Sequence, residues 1–229
     1  MATHFLTGAG AGIGQCMARR LAARGDELVV LARSAARAED LEADFPVARP
    51  VVGDLADPAG LASALAGLLP ERLDSLVHVA GIVDLGTVEE QRPEVWRRTL
   101  DVNLAAPAEL TRLCLPALRA ARGHVVFVNS GSGLRANPQW SSYAASKHGL
   151  RALADALRGE EREHGVRVTS VYPGRTATGM QAKVHEQEGK EYDPSDWADP
   201  ESVATTVLMA LDLPRDAEVT DLRVNPGPR

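Results

Sequence analysis

A chain of 229 residues is long enough to bury the core of one large α/β domain and too short to divide comfortably into two. Hydrophobic residues make up 45% and aromatics only 4%, so alanine, leucine and valine must build the core, and a disordered or fibrous chain is excluded. A formal charge of -6 argues against a nucleic-acid footprint or a membrane-surface patch, so neither polymer is expected as a partner.

The start, "MATHFLTGAG", has no basic segment leading into an apolar one, and no apolar run approaches a membrane span; a cytoplasmic chain is expected. Strand-like runs then alternate with alanine-rich stretches of helical period. They are "THFLT", "ELVVLA", "ARPVVG", "SLVHVA", "HVVFVN", "VRVTSVY" and a last "EVTDLRV". This alternation predicts an α/β Rossmann-type doubly wound parallel sheet of about seven strands with helices on both faces, as one domain over 1–229. Gly25, Gly123 and Gly165 each stand where a helix gives way to a strand, as left-handed C-caps would. Asp57-Pro58 and Asp199-Pro200 read as N-cap plus first-turn proline. After Asp57, Leu61, Leu65 and Leu68 recur at helical spacing and would face the sheet. Cys16 and Cys114 lack any metal-ligand spacing and read as buried apolar fillers, and no metal site is expected. The polar stretch 178–198 breaks the rhythm and is expected to be a short substrate loop or lid.

The first strand runs into Thr7, Gly8, Gly10, Gly12, Ile13 and Gly14 and then a helix. Glycines let a backbone turn sharply and approach a pyrophosphate, whose charge is held by amide N–H groups at the helix terminus. After the second strand, where an acidic residue would hold ribose hydroxyls, stand Arg33 and Ser34. A guanidinium suits a 2′-phosphate, so NADP(H) is expected in preference to NAD(H). Asp54 and Leu55 follow the third strand, where an aspartate can meet the adenine edge or serve as a plain turn residue.

Farther on come Asn103 in "LDVNLAAP", Ser130 ending "HVVFVNS", Tyr143 and Lys147 in "SSYAASKHGL", and Pro173-Gly174 after a strand. With the glycine turn before them, these residues make the chain similar to a short-chain dehydrogenase/reductase along nearly its whole length. The resemblance implies an oxidoreductase moving a hydride between NADP(H) and a small carbonyl or alcohol. It implies Tyr143 as general acid/base, Lys147 lowering its pKa and binding the nicotinamide ribose, Ser130 orienting the substrate oxygen, and Asn103 holding a water of the proton path. The chemistry fits the residue types, because a phenol near pKa 10 is a poor base at neutral pH unless an ammonium favours the phenolate. Further cofactor contacts are implied at Ala80, Gly81, Pro173, Gly174, Thr176 and Thr178. A homodimer or homotetramer pairing through about 92–121 and 143–163 is also implied.

Some features depart from the family's pattern. His78-Val79-Ala80-Gly81 stands where many relatives carry asparagines that tie neighbouring strands, and His78 reads as packed rather than as a base. Arg135, Trp140 and Arg175 are candidate substrate contacts, with Tyr192 and Trp197 as lid candidates; Arg175 would either pair with an anionic group or lie solvated. Ser141 or Ser142 is expected to cap the tyrosine's helix. The alternative from another class is a non-catalytic NADP-binding redox sensor or scaffold on the same fold.

Overall fold

The structure is a computed structural model that describes residues 1–228. Seven strands, β1 (Thr3–Thr7), β2 (Glu27–Ala32), β3 (Ala48–Val52), β4 (Ser75–His78), β5 (His124–Val128), β6 (Arg167–Pro173) and β7 (Asp221–Val224), form one sheet in the order β3-β2-β1-β4-β5-β6-β7. Every neighbouring pair is parallel. The order reverses between β1 and β4, so the connections leaving these strands part to opposite faces and open a crevice at their carboxyl ends.

The helices are α1 (Gly12–Ala23), α2 (Ala35–Asp44), α3 (Leu61–Ala64), α4 (Pro93–Leu100), α5 (Ala106–Ala121), α6 (Ser141–Glu161), α7 (Gly179–Glu188) and α8 (Pro200–Asp212). None is long and apolar enough to cross a membrane among the described residues. Successive strand side chains point to opposite faces, which divides the core in two. Leu6, Val30, Val77, Val126 and Val171 pack against α1, α2 and α8. Phe5, Val29, Leu76, Val125 and Phe127 pack against α5 and α6. Burying each such side chain stabilises the fold by about 1.5–3 kcal/mol.

Several expectations need correction. The stretch 178–198 is not an irregular loop: α7 occupies its first half, capped by Thr178, whose hydroxyl accepts from Gln181 N at 3.4 Å, and closed by left-handed Gly189. Its inward residues, Gln181, Val184 and His185, are mostly polar, so no apolar stripe marked it. α3 stops after one turn, Gly67 reverses the chain at φ +72°, and Leu68 is left 41% exposed while Leu61 and Leu65 are buried. Left-handed caps do stand at Gly25 and Gly165, but at the third junction Arg122 takes that conformation. Gly123 is needed for a different reason: a Cβ there would lie 2.4 Å from Leu73 O. The last strand is confined to Asp221–Val224. Cys114 is buried, its thiol pushed up to about 12, whereas Cys16 is only half-buried at the rim of the first core.

His78 is packed as expected: it stacks on Phe127 with ring centroids 5.0 Å apart and its Nε2 pairs with Thr111 Oγ1 at 2.9 Å. Burial holds both His78 and His124 down to about 3. Between pH 6.5 and 3 the unfolded chain therefore binds protons at these rings that the folded chain refuses, and stability falls with pH by about tenfold per ring per pH unit. Urea midpoints are expected to drop steeply from pH 6 to 4, and His124→Gln to flatten that slope; an unchanged slope would contradict this account of His124.

Candidate active site

The crevice begins at the glycine turn. Gly8, at φ +75°, brings the chain so near β4 that a Cβ would sit 2.9 Å from Ala80 N. A Cβ on Gly14 would sit 2.1 Å from Gly8 O, so α1 can leave the turn only from a glycine. Ala11 precedes α1 without a side-chain cap, and the first turn holds no acidic residue. The first amides and the positive end of the helix are thus left for an anion from elsewhere. Thr7 Oγ1 accepts from Val79 N and Ala80 N, each at 3.1 Å. It ties β1 to the segment beyond β4.

Beside this turn lies a cleft of about 310 Å³ whose lining includes Thr7, Gly8, Gly10, Arg33, Asp54, Leu55, Ala80 and Gly81. Ser34 is not in that lining; its hydroxyl caps α2 by accepting from Arg37 N at 3.4 Å. Asp54 behaves as a turn residue, accepting from Ala56 N at 2.9 Å, while its edge still borders the cleft. Two arginines that the sequence reading passed over also line it, Arg37 and Arg98. Arg37 lies across the glycine loop: a Cβ on Gly10 would be 2.6 Å from its Nη2. The only hint in the sequence was its place one helical turn past Arg33.

The larger cleft, about 710 Å³, continues from Gly8, Gly12 and Ile13 to Ser130, Tyr143, Lys147, Pro173, Gly174, Thr176 and Thr178. The end of β5 delivers Ser130, whose Oγ accepts from Ser132 N at 3.1 Å as the chain turns. α6 presents Tyr143 and Lys147 on one face, as their i, i+4 spacing requires. Trp140, not Ser141 or Ser142, stands at the helix cap; Ser141 Oγ is bonded to Gln91 instead. Lys147 is 4% exposed, donates to Val128 O at 3.1 Å, and is pulled down to about 8 by burial. Burial also pushes the Tyr143 phenol above its ordinary value, with the Ser130 hydroxyl opposing the rise. The Lys147 Nζ lies 5.8 Å from the centroid of the phenol ring.

Asn103 sits behind the cleft rather than in its wall. It lies in a π-helical turn, Asp101–Ala105, between α4 and α5, a local widening common near functional sites. Its Oδ1 accepts from Ile82 N at 2.9 Å, and Nδ2 donates to Ile82 O and Ser146 Oγ at 2.9 and 3.1 Å. Both amide donors are thus engaged, and the side chain braces the segment after β4 against α6. Gly81 passes between Asn103 and Lys147: a Cβ there would be 3.3 Å from Oδ1 and 3.8 Å from Nζ. Asn129, unremarked in the sequence, donates to Lys147 O at 3.1 Å and fixes that turn of α6 to the end of β5.

Gly174 N donates to Val224 O at 2.7 Å, so β7 holds the Pro-Gly turn. The hydroxyls of Thr176 and Thr178 donate to Gly174 O and Thr176 O at 3.1 and 3.3 Å, bending the chain back toward the glycine loop. Trp140 lines the cleft with its ring edge-on to Tyr143 at 5.8 Å. Arg175 lines it too, but its Nη2 donates to Glu188 Oε1 at 2.6 Å. Arg135 is exposed and borders neither cleft, although Asn137 and Trp140, later in the same connection, do line the larger one. Tyr192 and Trp197 pack their rings on His185 of α7 and line neither cleft.

Residues 2–189 match the family model described as short chain dehydrogenase. The dehydrogenase/reductase SDR family member 7B of Bos taurus is 34% identical over 228 residues, covering 92% of this chain and 70% of that protein. Among solved structures, an oxidoreductase of the short-chain dehydrogenase/reductase family from Burkholderia thailandensis is 34% identical with TM-score 0.84, covering 98% of this chain and 91% of the other. The alcohol dehydrogenase of the archaeon Thermococcus sibiricus, complexed with 5-hydroxy-NADP, is 25% identical with TM-score 0.85, covering 100% and 99%. The crevice at the strand reversal, the glycine turn pressed on β4 and the Ser130, Tyr143 and Lys147 cluster thus stand in a chain that belongs to the short-chain dehydrogenase/reductase family.

Proposed function

We propose that this oxidoreductase reduces a small carbonyl compound, or oxidises the matching alcohol, with NADP(H) as redox partner. The observation that carries the reading is the meeting of Ser130, Tyr143 and Lys147 in one cleft that runs without a break to the glycine turn. The residues present fit a dinucleotide. The turn admits no side chain at Gly8 or Gly14, the first amides of α1 lack a side-chain cap, and three arginines surround the outer cleft. Pyrophosphate would rest on Gly8–Gly14, and a 2′-phosphate on Arg33 and Arg37, in keeping with the NADP analogue bound by the Thermococcus enzyme. When bound, the nicotinamide supplies a hydride to the carbonyl carbon, or takes it back from the alcohol.

Tyr143 gives a proton to the oxygen as its negative charge develops, so hydride plus proton make the alcohol and leave NADP⁺. Its raised pKa keeps the phenol protonated and ready to donate at neutral pH. Ser130 holds the substrate oxygen in reach of that phenol. Lys147, pulled down to about 8 by burial, would return the proton and hold the nicotinamide ribose when the cofactor is bound. Asn103 is a positioning residue that fixes Ile82 and Ser146 around Lys147. Two such chains would pair through α4, α5 and α6.

The test is a fluorescence titration with NADPH and NADH, followed by a screen of ketones and aldehydes for NADPH consumption. Tighter binding of NADPH and turnover of at least one carbonyl are expected. Tight NADPH binding with every carbonyl untouched would favour the sensor reading instead.

A further inference from the structure

The reacting phenol stands in its own small apolar cluster, apart from the two cores beside the sheet. Tyr143, Val83 and Val184 are buried together, and Leu85 and Trp140 pack against them. Val83, Trp140, Met180 and Val184 all face the larger cleft, so the space beside the phenol is walled by aliphatic and indole groups. An aromatic substrate could lie against Trp140, which already meets the Tyr143 ring edge-on.

The charges around this space are spoken for. Arg175 and Lys147 are the only charged residues in the lining among the described residues. Lys147 points to Val128 O. Arg175 donates to Glu188 at 2.6 Å, lies over the Trp197 ring at 5.3 Å, and has Nη1 3.5 Å from His185 Nε2. Glu188, whose side chain is 11% exposed, also accepts from Lys190 at 3.2 Å, so one carboxylate holds both cations in place. At the rim, Lys183 is held by Asp84 and by Val83 O. The Gln181 amide is turned to His185 Nδ1 at 3.0 Å. An anion entering here would lose its water and find Arg175 already held by Glu188 and the Lys147 ammonium turned to Val128 O, and the chain's net charge of -6 adds to the penalty.

We infer that the site takes an uncharged carbonyl compound with an aromatic or branched apolar body, and discriminates against the corresponding keto acid because the Arg175 guanidinium is already engaged by Glu188. The inference rests on the proposed reading of Tyr143 as the group that meets the substrate oxygen. The reaction it implies is the two-electron reduction of the ketone to a secondary alcohol, with NADPH as reductant and the phenol as proton donor.

Methyl benzoylformate and benzoylformate share the ring and the ketone and differ in charge. Binding to the NADP⁺ complex is measured by calorimetry, and turnover by NADPH consumption. The ester is expected to bind, and to exceed the acid in kcat/KM by about 100-fold or more. Equal or better binding of the acid, or binding of neither, overturns the inference. If the ester alone binds but no NADPH is consumed, the hydride-transfer reading fails while the discrimination stands.

Two variants probe its cause. Glu188→Gln is expected to tighten binding of the acid about tenfold and leave the ester nearly unchanged, since it frees the guanidinium. Arg175→Gln should leave the ester-to-acid ratio unchanged; a selective loss of acid binding there would show a working anion receptor and overturn the inference.

Discussion

Replacing Tyr143 with phenylalanine is expected to lower kcat for carbonyl reduction by a factor of about 10²–10⁴, the range that a positioned proton donor contributes. NADPH binding should remain within about twofold of the parent protein, because the substitution removes one oxygen and keeps the ring. The ring is buried against Val83 and Val184 and meets Trp140 edge-on, and none of these contacts needs the hydroxyl. Folding is therefore spared, and a loss of rate reports on the proton. Ser130→Ala tests the same chemistry with a structural complication, since Ser130 Oγ also accepts from Ser132 N. Its KM and kcat should both suffer. A Tyr143→Phe protein that kept near-parental turnover would remove the phenol from the mechanism.

Changing Arg33 and Arg37 together to alanine is expected to weaken NADPH binding by about 10–100-fold and leave NADH binding within about twofold. Charge-assisted hydrogen bonds to a phosphate are worth that much, and NADH has no phosphate to lose. Arg37 deserves its place beside Arg33 because its guanidinium already reaches over Gly10, where the loop would hold the cofactor. It is tethered there by Asp40 at 2.6 Å, an exposed pair that adds little stability, so the double variant should fold normally. Arg98→Ala is expected to weaken both cofactors equally, since it comes from α4 on the far wall of the outer cleft. Unchanged preference in the double variant would mean that the 2′-phosphate is recognised elsewhere or not at all.

What could be read from the sequence divides along physical lines. The inner sheet was legible because a parallel strand buried on both faces must be a short apolar run, as in β1, β2, β4, β5 and β6, and the less buried edge runs became β3 and β7. The glycine turn was legible because steric demands at Gly8 and Gly14 exclude every other residue. Tyr143 and Lys147 were legible as a pair because helical spacing alone puts them on one face.

The rest depended on partners far away in the chain. α7 was missed because it packs on Gln181 and His185 as well as Val184, although Thr178 and Gly189 carried its cap signals. Arg175, open in the sequence between an anion partner and a solvated side chain, is held by Glu188 thirteen positions on, a contact that no motif announces. Asn103 kept its predicted neighbourhood, yet its amide proved to be a brace for Ile82 and Ser146. Arg135 lies outside both clefts, and loop direction has no periodicity to reveal it. The burial of the His78 and His124 rings, each against a threonine hydroxyl, likewise appeared only in the fold.

The central claim is that a hydride passes between the cofactor and a carbonyl carbon beside Tyr143. It is tested most directly with NADPH deuterated at C4, prepared separately in its pro-R and pro-S forms so that one of the two must donate its label, and any carbonyl that the screen finds. The account predicts deuterium on the carbinol carbon of the product from one of the two forms, and loss of this transfer in Tyr143→Phe. Deuterium retained in the cofactor with both forms, or a product carbinol hydrogen drawn from solvent, would contradict it.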